Sequence, residues 1–155
     1  MAAVSNSSPL IALSEIGQLD LLPQLFTSVL IPPAVAGEIA PSVPVLPAWV
    51  EVRPVTHSLP QALRRRAFGL GEREALALSL ECRPSHVILD DLPARRLAIT
   101  LGLPLIGTLG VLVAAKHARL IDLIRPQIDG LVGRTFFISA KLYRELLEAA
   151  GEPVE

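Results

Sequence analysis

Residues 86–110 read HVILDDLPARRLAITLGLPLIGTLG, and the order of residue types in this stretch decides the fold. His86-Val-Ile-Leu89 is an apolar run without polar alternation, as expected for a strand buried on both faces. Asp90-Asp91 follow, and Pro93 then sits where a helix over 94–101 would begin. Gly102 closes that helix. Leu103-Pro-Leu-Ile106 is a second buried run, and Gly107-Thr108 lead into a further helix over 109–118. Two buried strands joined through a helix must run parallel, with a right-handed crossover. The uncharged run 97–115 is also long enough to span a membrane. It holds Gly102, Pro104, Gly107 and Gly110, however, and a proline inside a helix costs about 3 kcal/mol. The strand-and-turn reading accounts for those residues, so no membrane span is expected.

The same alternation extends upstream. Residues 2–5 read as a strand, and Ser7-Ser8-Pro9 open a helix with Ser8 as N-cap and Pro9 at its first position. Leu10, Ile11, Leu13 and Ile16 form its apolar face, and Gly17 stops it. A short helical piece covers 19–26, a strand 28–31, and a helix carrying Glu38 follows Pro32-Pro33. Pro41, Pro44 and Pro47 mark an irregular stretch, and 49–55 alternates like an edge strand. A helix carrying Arg64-Arg65-Arg66 precedes the break Gly69-Leu-Gly71. Glu72 then begins a helix with Ala75, Leu76, Leu78 and Ser79 inward, ending near Cys82-Arg83-Pro84. Downstream, a helix is expected within 121–131 and a strand over 135–138. An amphipathic helix over 140–150 follows, with Leu142, Leu146 and Leu147 inward and Gly151 as cap. The whole predicts a single domain over 1–155, a three-layer α/β/α (Rossmann-like) fold around a mainly parallel sheet.

Composition narrows the functional classes. With 155 residues, 51% hydrophobic and 19% charged, the chain can bury a core and is not disordered. The single cysteine, Cys82, excludes a disulfide framework and fits a reduced, cytoplasmic setting. Met1-Ala-Ala-Val-Ser-Asn-Ser-Ser lacks the basic, long-apolar pattern of a secretory signal. A net charge of −1 gives no global basic field for nucleic acid, and 4% aromatic residues argue against a base-stacking platform. Arg64-Arg65-Arg66, Arg95-Arg96 and Lys116-His117-Ala-Arg119 are local basic clusters, read mostly as solvated helix faces with phosphate contact as the minority reading. His57, His86 and His117 have no zinc-ligand spacing, Cys82 has no nucleophile motif, and the glycines of 102–110 match neither nucleotide-binding pattern.

In a parallel sheet, ligands bind outside the carboxyl ends of the strands. Three predicted strands end in polar residues there: Asn6-Ser7-Ser8, Asp90-Asp91 and Gly107-Thr108. Two helix-borne acids, Glu38 and Glu72, can complete the set. Oxygen donors of this kind suit Mg²⁺ or Mn²⁺, which activate water and stabilise phosphoryl charge. Each residue also has a bland reading. Asn6-Ser7-Ser8 can be a capped turn, Asp90-Asp91 helix-capping acids, Glu38 a solvated residue, and Glu72 a helix-terminus acid. Side chains alternate along a strand, so Asp90 and Asp91 cannot both face the site if the strand runs through them.

Five blocks together resemble the PIN-domain proteins, closest to the prokaryotic branch related to VapC toxins. They are Val4-Ser-Asn-Ser-Ser-Pro-Leu-Ile11, Leu30-Ile-Pro-Pro-Ala-Val35 with Glu38-Ile39, Gly69-Leu-Gly-Glu-Arg-Glu-Ala75, Ile88-Leu-Asp-Asp-Leu-Pro-Ala-Arg95 and Gly102-Leu-Pro-Leu-Ile-Gly-Thr-Leu-Gly110. The resemblance implies an acidic site holding divalent ions and cleaving RNA, a homodimer, and a small antitoxin protein as partner. It places the first acid on Asn6, the second on Glu38, the third on Glu72 and the fourth on Asp90 or Asp91, with Asp91 the closer match. Ser8 matches the hydroxyl residue after the first acid, and Ser8, Thr108 and Arg95 are weaker candidates for substrate contact. The departure is that the first acid is an amide. Asn6 offers a carbonyl oxygen but removes one negative charge, so weak Mg²⁺/Mn²⁺ binding is expected. Two functions follow: a metal-dependent toxin ribonuclease, or a module that kept the fold and lost catalysis, binding RNA or a protein. A small-molecule α/β domain is a more distant reading.

Overall fold

The computed structural model describes residues 1–57, 60, 61, 68–134 and 136–154. The Arg64-Arg65-Arg66 cluster and the helix expected around it lie outside the described residues. Among the described residues five strands, β1 (Ala3–Ser5), β2 (Val29–Ile31), β3 (Val50–Val52), β4 (His86–Ile88) and β5 (Leu105–Ile106), form one sheet in the order β3-β2-β1-β4-β5. Every pairing is parallel. The exposed β3 lies at one edge, as its alternating sequence predicts.

The apolar runs are continuous because both faces of each central strand are covered. Ala3, Val29, Ile31 and Ile88 belong to one core cluster, together with Leu10 and Leu13 of α1 (Ser7–Glu15) and Leu22 of α2 (Leu22–Leu25). Leu112 of α6 (Thr108–His117), Ile128 of α7 (Arg125–Leu131) and Leu147 of α8 (Ala140–Ala149) complete this layer. The residues between them in the strands, Val4, Leu30, Val87 and Leu89, face α4 (Leu70–Cys82) and α5 (Leu92–Thr100) in two further clusters. Period-two alternation thus feeds two helical layers from each strand. The short helix α3 (Pro33–Ile39) packs against both α1 and α4, which brings Glu38 to the border of the layers.

The run 97–115 divides as its breakers require. Helix α5 ends at Thr100, Gly102 takes φ +73°, β5 follows, and α6 starts at Thr108. No helix among the described residues is long and apolar enough to cross a membrane.

Local departures have local causes. Helix α1 begins at Ser7 with Asn6 as N-cap, so Pro9 is its third residue and Ser8 its second. A proline is tolerated there because the first four amides of a helix have no intrahelical acceptor. Helix α7 starts only at Arg125, with Pro126 as its second residue. Of the strand expected over 135–138, residue 135 lies outside the described residues, and 136–138 form no strand, only a single parallel bridge between Val132 and Phe136. On α8, Leu147 is fully buried, Tyr143 and Leu146 are half-buried against the same core, and Leu142 is peripheral.

Candidate active site at the carboxyl rim of the sheet

The chain winds from β1 outward to β2 and β3, then returns past β1 to β4 and β5, so the strand order reverses between β1 and β4. At such a switch point the helices leave in opposite directions and open a crevice at the carboxyl ends. Ser5 of β1 pairs with Ile88 of β4, and the Asn6 amide donates to the Ile88 carbonyl at 3.0 Å. The segments carrying Asn6 and Asp90-Asp91 therefore leave the sheet side by side. β5 is the next strand, so Gly107-Thr108 emerge on the same rim.

The structure separates the two aspartates. Asp90 accepts the Thr108 amide at 2.8 Å on one carboxylate oxygen and the Thr108 hydroxyl at 2.6 Å on the other. It ties the end of β4 to the start of α6. Thr108 is 0% exposed, and its hydroxyl is spent on Asp90. Asp91 is the N-cap of α5, where one carboxylate oxygen accepts the Ala94 amide at 3.1 Å. The capping reading of Asp91 is thus correct, and among the described residues its other carboxylate oxygen has no hydrogen-bond partner.

Glu38 is placed by two residues distant in sequence. The Ser7 hydroxyl donates to its carboxylate at 2.8 Å. The carboxylate lies directly on Gly71, the second residue of α4: a Cβ there would overlap Glu38 Oε1 and stand 2.9 Å from Cδ. Only glycine permits that approach, and the start of α4 favours a negative charge. Sequence reasoning singled out Ser8 from this turn; Ser7 is the residue that holds an acid. Ser8 is exposed and lines a hollow with Glu72, Asp90 and Asp91, so a substrate role for it stays open to test.

Glu72 reports the field of the site. Its carboxyl is pushed above the ordinary glutamate value by burial first, then by the negative charge of Asp91, with Glu38 adding to the rise; the Gly69 amide acts the other way. Asn6 is 3% exposed, and its side chain makes no helix-capping bond. Arg95 and Asp90 both border Gly107, and Arg95 Nη1 donates to the Leu89 carbonyl at 2.7 Å.

Among the described residues no three of His, Cys, Asp and Glu are arranged to hold a metal ion. Asp90 has a partner on each oxygen, and Asp91 gives one oxygen to the start of α5. The donor chemistry nevertheless fits a hard divalent cation, which needs oxygens alone, takes few carboxylates and keeps waters in its remaining positions. An open, water-rich site fits Glu38, Glu72 and Asp91; a closed cage does not.

No curated protein and no solved structure matches the chain. A family model described as a PIN domain matches residues 2–152. The match covers the parallel sheet, the β1/β4 crevice and each acid that borders it, and the chain belongs to the PIN-domain family.

Proposed function

We propose that the rim between β1 and β4 is the centre of a Mg²⁺- or Mn²⁺-dependent endoribonuclease, with Glu38, Glu72 and Asp91 as the protein ligands. The observation that carries this reading is Glu72, whose carboxyl is raised by burial and by the charges of Asp91 and Glu38. Two carboxylates 4 Å apart repel by about 4 kcal/mol at an effective dielectric of 20, and a cation relieves such a field. A divalent ion held there would activate a water and neutralise charge on a phosphodiester. The chain supplies the rest. Ser7 and Gly71 fix the Glu38 carboxylate, the start of α5 orients Asp91, and Asn6 would offer its amide to a water on such an ion. Asp90 keeps β4, β5 and α6 in register through Thr108. In this reading the protein is the toxin of a toxin–antitoxin pair, cytoplasmic and homodimeric, held in check by a small partner protein.

Asn6 supports a second reading, a module that retains the fold and binds RNA or protein with little or no catalysis. One experiment separates the two: Mn²⁺ titration calorimetry and cleavage of a single-stranded RNA, on wild type and Asn6→Asp. A nuclease centre predicts weak metal binding and slow cleavage that both improve in Asn6→Asp. Unchanged metal affinity and no cleavage in either protein leave the binding module.

A further inference from the structure

The most exposed large apolar side chain of the described residues stands at this rim. Phe137 is 95% exposed, and with the half-buried Phe136 it borders two adjoining hollows. One is the acidic hollow of Glu72, Asp90 and Asp91. The other, about 520 Å³, is floored by Leu105, Ile106 and Gly107 and carries Arg95, a volume typical of small-ligand sites. The Arg95 guanidinium rests on Gly107, where a Cβ would stand 2.9 Å from Asp90 Oδ1 and 3.0 Å from Arg95 Nη1, and it donates to the Leu89 carbonyl. That carbonyl takes one of its five donors. Aromatic composition counts rings, whereas stacking needs only one ring in the right place. A ring left in water beside a fixed cation, with an acidic site next door, matches a ligand with a flat apolar face and an anionic group. An unpaired nucleotide has both.

We propose that Phe137 and Arg95 form a nucleotide subsite beside the acidic rim, in which one unpaired base of a single-stranded RNA stacks on the Phe137 ring and its phosphate pairs with Arg95. The inference rests on the ribonuclease reading for its substrate, but its test needs no catalysis. Anisotropy of a fluorescein-labelled 12-mer RNA is measured in EDTA, single-stranded and annealed to its complement. Phe137→Ala is expected to raise the Kd for the single strand about 5- to 150-fold and leave the duplex unchanged, because stacking needs a free base. Phe137→Trp is expected to restore affinity. Arg95→Gln is expected to weaken binding and to lower the salt dependence by about 0.7 in slope. Leu123→Ala, which removes another half-exposed apolar side chain, is expected to change nothing.

Wild-type affinity in Phe137→Ala, or no binding by the wild type, overturns the subsite. So does a change from dimer to monomer in Phe137→Ala on sedimentation with RNA affinity unaltered, which would make the ring a contact between copies. If the wild type cleaves RNA with Mn²⁺ while Phe137→Ala binds normally, the subsite fails and the nuclease reading stands. If Phe137 governs binding but Mn²⁺ elicits no cleavage, the subsite stands and the nuclease reading fails.

Discussion

Gly71→Ala isolates the placement of Glu38 from the stability of the fold. The new Cβ would overlap Glu38 Oε1 and stand 2.9 Å from its Cδ, so the carboxylate must retreat by about 1 Å or more. The Ser7–Glu38 bond, 2.8 Å long, cannot survive that displacement, since bonds beyond about 3.5 Å contribute little. Glu38 is exposed, so its side chain can swing outward without disturbing the core. Losing a bond to a charged group costs about 1.5–3 kcal/mol, less here because water replaces the donor. Replacing glycine by alanine within a helix returns about 0.8–1 kcal/mol. The net stability change should therefore lie within about 1–2 kcal/mol, or a Tm shift of a few degrees for a chain of this size. Metal binding should suffer far more. A carboxylate displaced from the site removes a full negative charge, and Mn²⁺ affinity should fall at least about tenfold, with RNA cleavage following it. Calorimetric Mn²⁺ titration and a thermal melt on the same samples give both numbers, and Ser7→Ala should show a smaller loss of the same sign. A folded Gly71→Ala protein with wild-type metal affinity and cleavage would refute the role assigned to Glu38.

Asn6→Asp puts a carboxylate on a site only 3% exposed beside a crowded acidic field. Without metal the variant should melt below wild type, and added Mn²⁺ should raise its Tm more than it raises the wild type's. Leu147→Ala, at a fully buried position of α8, should cost about 2–5 kcal/mol by chemical denaturation, and Leu146→Ala distinctly less. Glu152 lies 6% exposed near the C-terminus and accepts the Ile124 amide at 2.6 Å and the Lys116 ammonium at 3.2 Å. Burial pushes its carboxyl upward, but these donors and the Arg125 amide outweigh burial and hold it below the ordinary value of 4.5. A depressed folded pKa means that its contribution is complete above that ordinary value and is lost as the pH falls through the folded one. The gap between wild type and Glu152→Ala, about 2 kcal/mol at neutral pH, should shrink on acidification; a gap independent of pH would contradict this.

The sequence by itself determined the strands, their parallel direction and the rim on which polar residues emerge. Those features are encoded locally: a strand covered on both faces must be apolar throughout, and a helix between two such strands forces a crossover. The residues after β1, β4 and β5 are therefore legible in the sequence. Tertiary structure decided what each of them does. Ser7 finds Glu38 across a separation of 31 residues, and Asp90 finds Thr108 across 18, pairings that no local period encodes. Where a strand was expected, residues 136–138 make one bridge at Phe136, and Phe137 stands in solvent at the rim. Periodicity tells whether a side chain is buried. Which acid keeps a free oxygen depends on the donors that distant segments bring to it, and only the packed layers fix those.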